Sequence, residues 1–274
     1  MPEGPEVKRQ ADRLDRTLAG QQAEEVWFAF PELQAWGEAL SGQSIGAVEA
    51  RGKAFLVRFP AAEVSIYVHL QLYGRWEVRT PRGGDPRTGR SLRLRLVTAR
   101  GRALLYSAST IEVVPDAELA AHPYLRKLGP DVLRRGLTAR AIQRRLSSAR
   151  FQRRSLGALY LDQSFLGGLG NYLRSEVLFE AGLLPAQAPR ALSDDQLERL
   201  ARATLKICRR AYRTGGITNE PELVAELKAS GARRRELRWK VFGREGEPCW
   251  DCGHEVERTT VGGRRLYLCP ACQR

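Results

Sequence analysis

Long apolar runs are missing from this chain. Nowhere do about 18 apolar residues stand together, so no transmembrane helix is expected. The first residues carry neither an apolar segment nor a cleavage site, so a secretory signal is not expected. Cysteine is scarce as well. Of five, four stand in the last 26 residues and only Cys208 lies elsewhere, so no disulfide framework is expected and a cytoplasmic, reducing location is. Lysine numbers six among 45 basic residues, so arginine supplies most of the positive charge. That suits bidentate contacts to phosphate, although a GC-rich genome would leave the same bias. Acidic residues are too few to balance the basic ones. A net charge of +14 and a pI near 10.1 point to a polyanionic partner, with nucleic acid ahead of an anionic membrane surface.

What is present is enough for real cores: 43% of 274 residues are hydrophobic, a length of roughly two domains. Val7, Ala11, Leu14 and Leu18 recur at helical spacing with Gly20 as a stop, so the chain opens on an amphipathic helix. From about Gln21 to Val114 the pattern is that of strands. "SLRLRLVT" alternates at Leu92, Leu94 and Leu96, "FLVRF", "VSIYVHL" and "RALLYSAS" are strand-like, and turn signals such as Arg82–Arg90 separate them. "HPYLRKLGPDVL" reads as a crossing into a helical part. There Thr138 caps one helix, Ser193 and Gln196 form a capping box for a longer one, and Cys208 falls on the core face of the latter. The expected class is α+β and multidomain. It comprises an antiparallel β-sandwich with an N-terminal helix (1–121), a linker (122–133), a helical domain (134–239) and a C-terminal hairpin that carries four cysteines (240–274). A monomer is expected, since nothing marks an obligate interface.

The most specific local signal is Cys249 and Cys252, then sixteen residues, then Cys269 and Cys272. Two C-x-x-C pairs at this spacing match four thiolates closing a tetrahedral, structural zinc site. Between them, Gly262 and Gly263 mark a hairpin turn followed by Arg264, which either reaches a phosphate or stays a solvated charge. Gly167, Gly168 and Gly170 crowd a turn before Asn171, read as the N-cap of a helix whose apolar face carries Leu173, Val177 and Ala181. Helix, glycine turn and helix suit phosphate binding, although an ordinary helical hairpin would look alike. Lys53 sits in a turn feeding a strand, and Gln71, Leu72 and Tyr73 stand at a strand end. Such a polar, apolar, aromatic triplet can fill the gap left by an extruded base. The plainer readings are a surface charge and a core strand. At the very start, Pro2 would become a free secondary amine once Met1 is removed, a nucleophile toward carbonyl carbons. The plainer reading is a helix start, with Glu3 and Glu6 suited to the dipole.

Together these parts resemble the formamidopyrimidine-DNA glycosylase and endonuclease VIII family of base-excision repair enzymes. The likeness rests on "PEGPE", "RGK", "LGPD", "GGLGNYLRSE" and the four-cysteine finger, in that order along the whole chain, and it implies a helix–two-turn–helix DNA-binding domain over 134–239 and a zinc finger over 240–274. It implies that Pro2 attacks C1′ of a damaged nucleotide as a Schiff-base nucleophile and that Glu3 is the general acid/base. Lys53 would support catalysis at the DNA backbone, and Glu6 would lie near the reacting nucleotide. Gln71, Leu72 and Tyr73 would fill the void, while Asn171 and Arg264 would hold phosphates. One structural zinc would sit on Cys249, Cys252, Cys269 and Cys272. The implied partner is double-stranded DNA with damaged bases or abasic sites, in a bacterial, nucleoid-associated setting, with cleavage by β,δ-elimination.

Gly4 in "PEGPE" and the "QLY" triplet resemble the endonuclease VIII branch, which implies oxidised pyrimidines rather than 8-oxoguanine. The pocket loop at Ser147–Ala158 gives no readable specificity. Two alternatives stay open: the same chemistry on 8-oxoguanine or formamidopyrimidine lesions, and a non-catalytic zinc protein that binds damaged DNA. The second leaves Pro2 and Glu3 without a purpose.

Overall fold

The computed structural model describes residues 2–83 and 88–274. Met1, and residues 84–87 of the turn expected over Arg82–Arg90, lie outside the described residues. Contacts divide the chain into two compact units, Pro2 with Val7–Lys127 and Glu3–Glu6 with Leu128–Arg274.

Helix α1 (Gly4–Leu18) is amphipathic as expected, and from Val7 onward it belongs to the first unit. Strand β1 (Glu25–Phe28) and helix α2 (Gln34–Leu40) follow, then β2 (Val48–Arg51), β3 (Ala54–Phe59), β4 (Val64–His69), β5 (Arg75–Arg79), β6 (Leu92–Thr98), β7 (Gly101–Tyr106) and β8 (Thr110–Pro115). These strands make two antiparallel four-stranded sheets, ordered β1-β6-β7-β5 and β2-β3-β4-β8. Leu94, Leu96 and Leu105 of one sheet and Phe55, Val57, Ile66 and Val68 of the other share a core with Val7, Ala11, Leu14 and Leu18. This is the sandwich that the period-two patterning anticipates. The alternation breaks at Leu92, which is only half-buried because the register shifts between Leu92 and Leu94. Strand β3 is buried on both faces. Ala54 and Leu56, on its second face, pack with Tyr67, Val114 and Leu119 in a smaller cluster that Tyr124 and Leu125 cover.

The second unit holds α3 (Ala139–Leu146), α4 (Leu156–Leu159), α5 (Asn171–Ala181), α6 (Asp194–Thr214), α7 (Pro221–Ala229) and the hairpin β9 (Glu257–Val261) with β10 (Arg264–Leu268). Thr138 caps α3, and Ser193 with Gln196 forms the capping box of α6. The hairpin turns on Gly262 and Gly263 at φ +61° and +70°, the pair of left-handed positions that a tight I′ turn requires. Helix α5 departs from the expected single apolar face: Tyr172 through Phe179 are all buried, the polar Arg174, Ser175 and Glu176 among them. Periodicity presumes one wet side, and between Tyr172 and Phe179 α5 has none because it packs on both α6 and β10. Among the described residues, no helix is long and apolar enough to cross a membrane.

Leu105 is fully buried between the sheets. Leu105→Ala is expected to destabilise the first unit by about 2–5 kcal/mol, read as a lowered urea midpoint in tryptophan fluorescence.

Candidate functional site

The expected site residues fall in both units. In the first, Pro2 lines a cavity of about 380 Å³ together with Gln10, Arg13, Leu72, Trp76 and Arg90. Lys53 occupies the two-residue turn between β2 and β3, after Gly52 at φ +63°. Only 8% of its surface is exposed, so the plainer reading of a solvated charge fails. Its backbone N–H donates to the Tyr124 hydroxyl at 2.9 Å.

Gln71, Leu72 and Tyr73 are not a core strand either. They follow β4 as an exposed turn, with Leu72 and Tyr73 at 64% and 71% exposure. Gln71 takes a left-handed φ of +51°, a conformation unusual for a residue with a side chain. Its N–H donates to His69 Nδ1 at 3.1 Å, Gly74 N–H donates to the Leu70 carbonyl at 2.8 Å, and Arg90 holds the Tyr73 carbonyl at 2.9 Å. Two exposed apolar side chains are thus displayed on a pinned backbone. Because Nδ1 accepts, this bond needs the neutral His69 ring, and burial, then the nearby Lys53 charge, lowers the pKa of His69. The contribution of His69 to stability is therefore whole above the ordinary histidine pKa of about 6.5 and fades as pH falls below it.

In the second unit the chain start meets the N-terminus of α5. Glu3, 2% exposed, accepts from Tyr172 N–H at 2.9 Å and Leu173 N–H at 3.3 Å. This corrects the expectation for Asn171. Gly170 holds the N-cap position without a side chain, Asn171 is the first helical residue, and a carboxylate 169 residues earlier satisfies the orphan amides. Gly4 N–H donates to the Gly168 carbonyl at 2.8 Å, and a Cβ on Gly4 would stand 2.9 Å from Gly168 Cα. Only glycine permits that approach. Glu6 accepts from Glu3 N–H, from the Tyr172 hydroxyl and from Arg238. Burial nonetheless raises its pKa.

Asn171 Oδ1 accepts from Arg174 Nη2 at 2.6 Å. Arg264 is exposed beyond the hairpin turn, with its backbone carbonyl held by Arg174. The Sγ atoms of Cys249, Cys252, Cys269 and Cys272 lie within 4.8 Å of one another, with pairs at 3.5 and 3.9 Å. Thiolates about 2.3 Å from a tetrahedral ion stand about 3.8 Å apart, so this cluster fits a metal. Cys208 is fully buried in α6, and burial lifts its thiol well above the usual range, as befits a core residue.

The sequence reading passed over Arg174 and Glu176. Glu176, fully enclosed, accepts from the Thr218 hydroxyl and from the N–H groups of Lys240, Val241 and Phe242, which fastens the chain just before the cysteines. Two charged residues set between the apolar Leu173 and Val177 were the available signal.

Two outcomes are expected. Gly4→Leu should cost about 1–3 kcal/mol by overpacking, measured by chemical denaturation. Between pH 7.5 and 5, His69→Asn should lose less stability than the wild type, since its amide oxygen keeps accepting.

The formamidopyrimidine-DNA glycosylase N-terminal domain matches residues 1–109, and the formamidopyrimidine-DNA glycosylase H2TH domain matches residues 128–222. The chain is 46% identical over 273 residues to Endonuclease 8 of Klebsiella pneumoniae and 45% identical over 274 to that of an Enterobacter species, with both chains covered in full. Its fold is similar to that of Lactococcus lactis formamidopyrimidine-DNA glycosylase bound non-covalently to DNA with an AP site (TM-score 0.77, 23% identity, 99% of each chain). It is also similar to the same enzyme with DNA containing an oxidised pyrimidine (TM-score 0.79, 23% identity, 100% of each). The chain therefore belongs to the formamidopyrimidine-DNA glycosylase and endonuclease VIII family, whose members are DNA glycosylases and AP lyases of base-excision repair.

Proposed function

We propose that this enzyme removes oxidised pyrimidines from duplex DNA through its N-terminal proline and cuts the strand by β,δ-elimination. The observation that carries this reading is the setting of Glu3. A carboxylate one residue after Pro2 is almost wholly buried and held by two backbone N–H donors, which is how an acid/base group is kept in one orientation.

With Met1 removed, the Pro2 nitrogen bonds to C1′ while the glycosidic bond breaks and the base departs. The nitrogen gives up its proton, C1′–O4′ then breaks as O4′ takes one, and the iminium left by this ring opening acidifies C2′–H. Loss of that proton expels the 3′ phosphate, a second elimination expels the 5′ phosphate, and water then hydrolyses the iminium to free Pro2. Glu3 moves protons as the sugar ring opens, and Lys53 meets the backbone beside the lesion. Glu6 lies near the reacting nucleotide.

Gln71, Leu72 and Tyr73 fill the space of the extruded base. The exposure of Leu72 and Tyr73 on a fixed turn supports this, because a wedge must be apolar and rigid to repay unstacking. Asn171 and Arg264 hold phosphates. Cys249, Cys252, Cys269 and Cys272 hold one zinc ion, which shapes the finger and takes no part in the reaction. The functional parts are the sandwich (1–121), the linker (122–133), the helical DNA-binding domain (134–239) and the finger (240–274). The Endonuclease 8 names of the 46%-identical relatives favour the pyrimidine branch, and their bacterial sources fit a cytoplasmic, nucleoid-associated enzyme.

Borohydride trapping tests the chemistry. Wild type should give a covalent adduct that maps to Pro2 and is strongest on thymine glycol, while Pro2→Ala, left with a primary amine in place of the ring nitrogen, gives far less. Stronger adduct on 8-oxoguanine would move the enzyme to the other branch, and no adduct from metal-replete protein starting at Pro2 would leave a damaged-DNA-binding protein. For the finger, one zinc per chain is expected by mass spectrometry. A strong chelator should lower the melting temperature and weaken DNA binding at least tenfold.

A further inference from the structure

Arg174 is charged, lies on α5 and is 0% exposed, a combination seldom kept without a purpose. Its guanidinium donates to the carbonyls of Gly157 at 2.9 Å, Val261 at 3.3 Å, Arg264 at 3.3 Å and Arg265 at 3.0 Å, and to Asn171 Oδ1 at 2.6 Å. Three of these carbonyls flank the Gly262–Gly263 turn. One side chain thus grips the hairpin on both sides of its tip and the first residue of α5. Burial lowers its pKa to about 10, the nearby Glu3 acting against that shift, so the group stays charged at neutral pH.

A guanidinium can only donate hydrogen bonds, and this has a consequence for Asn171. Its amide must turn the oxygen toward Arg174, and the NH₂ therefore faces the other way. An amide with its donors outward suits a phosphate oxygen; the flipped amide would repel one.

We propose that Arg174 is a positioning residue that assembles the phosphate grip. It sets the amide of Asn171 with its donors outward and fixes the backbone from which Arg264 projects, so that the two act as one site. This rests on the reading of Asn171 and Arg264 as phosphate-binding residues. It adds a buried residue that touches no DNA yet governs affinity for it. A purely structural arginine, satisfying stray carbonyls, would contribute to stability alone.

The test is a double-mutant cycle on affinity for duplex DNA carrying a tetrahydrofuran abasic analogue, using Asn171→Ala, Arg264→Ala, Arg174→Met and the paired variants. Zinc content and melting temperature are recorded for each. Arg174→Met should bind 10- to 100-fold more weakly, with a salt dependence about one unit shallower in log–log slope as Arg264 loses its place. Asn171→Ala should then cost less than threefold in the Arg174→Met background, whereas alone it costs about tenfold. Full additivity, or wild-type binding by Arg174→Met, overturns the proposal. If Asn171→Ala and Arg264→Ala themselves bind like wild type, the underlying reading fails instead.

Should Arg174→Met lose its zinc or its fold, the wild type supplies the answer through its nitrogen-15-labelled side-chain amides. The Asn171 NH₂ resonance should shift on addition of the abasic duplex, and Arg174→Lys, which keeps the charge but not the fork, should bind more weakly with its zinc retained. An unmoved Asn171 signal, or full affinity in Arg174→Lys, sinks the idea.

Discussion

A helix buried on every side must place its polar groups onto other parts of its own chain, and from Tyr172 to Phe179 α5 is such a helix. Its first amides are taken by the carboxylate of Glu3, its Arg174 by the hairpin carbonyls, its Ser175 hydroxyl by Tyr267 N–H, and its Glu176 by the N–H groups of residues 240–242. Each contact joins α5 to a segment far away in sequence. In apolar surroundings an unmet donor or charge costs several times what a met one contributes, so these partners are held in place by penalty as much as by attraction. The chain start, the hairpin and the cysteine cluster are all fastened to one helix for that reason.

The same arrangement explains how a chain of net charge +14 tolerates acidic groups in its interior. Burial raises the pKa of Glu6 and of Glu176, and hydrogen bonds oppose that shift: Glu3 N–H and the Tyr172 hydroxyl at Glu6, Thr218 and three amides at Glu176. Arg238 adds an opposite charge beside Glu6 alone. Acidic groups here are internal fittings, while much of the arginine remains outside to meet a polyanion.

The first unit solves a different problem, the display of apolar groups in water. Leu72 and Tyr73 are exposed because a left-handed residue and the bond to His69 turn the chain outward just after β4, and Gly74 allows it to return. A Cβ on Gly74 would stand 2.6 Å from the Leu70 carbonyl oxygen, so the turn closes only around glycine. Exposed leucine and tyrosine are costly alone, and the wedge role proposed for them would repay that cost.

Local rules were enough for much of this protein. Strand alternation, the helix spacing from Val7 to Leu18, the caps at Thr138 and Ser193, the glycine turn of the hairpin and the cysteine spacing are written within a few residues of one another, where short-range sterics and hydrogen bonds decide. The motif order further marked Pro2, Glu3, Lys53 and the "QLY" turn as candidates. What only the tertiary structure decided lies between distant residues. Asn171 is not a cap, because Glu3 fills that role across 169 positions. Lys53 is buried because Tyr124 and the smaller cluster cover its sheet. Arg174 and Glu176 matter because the helix around them has no exposed face. No periodicity contains these facts, for a buried polar group takes its meaning from a partner that the chain brings to it only by folding.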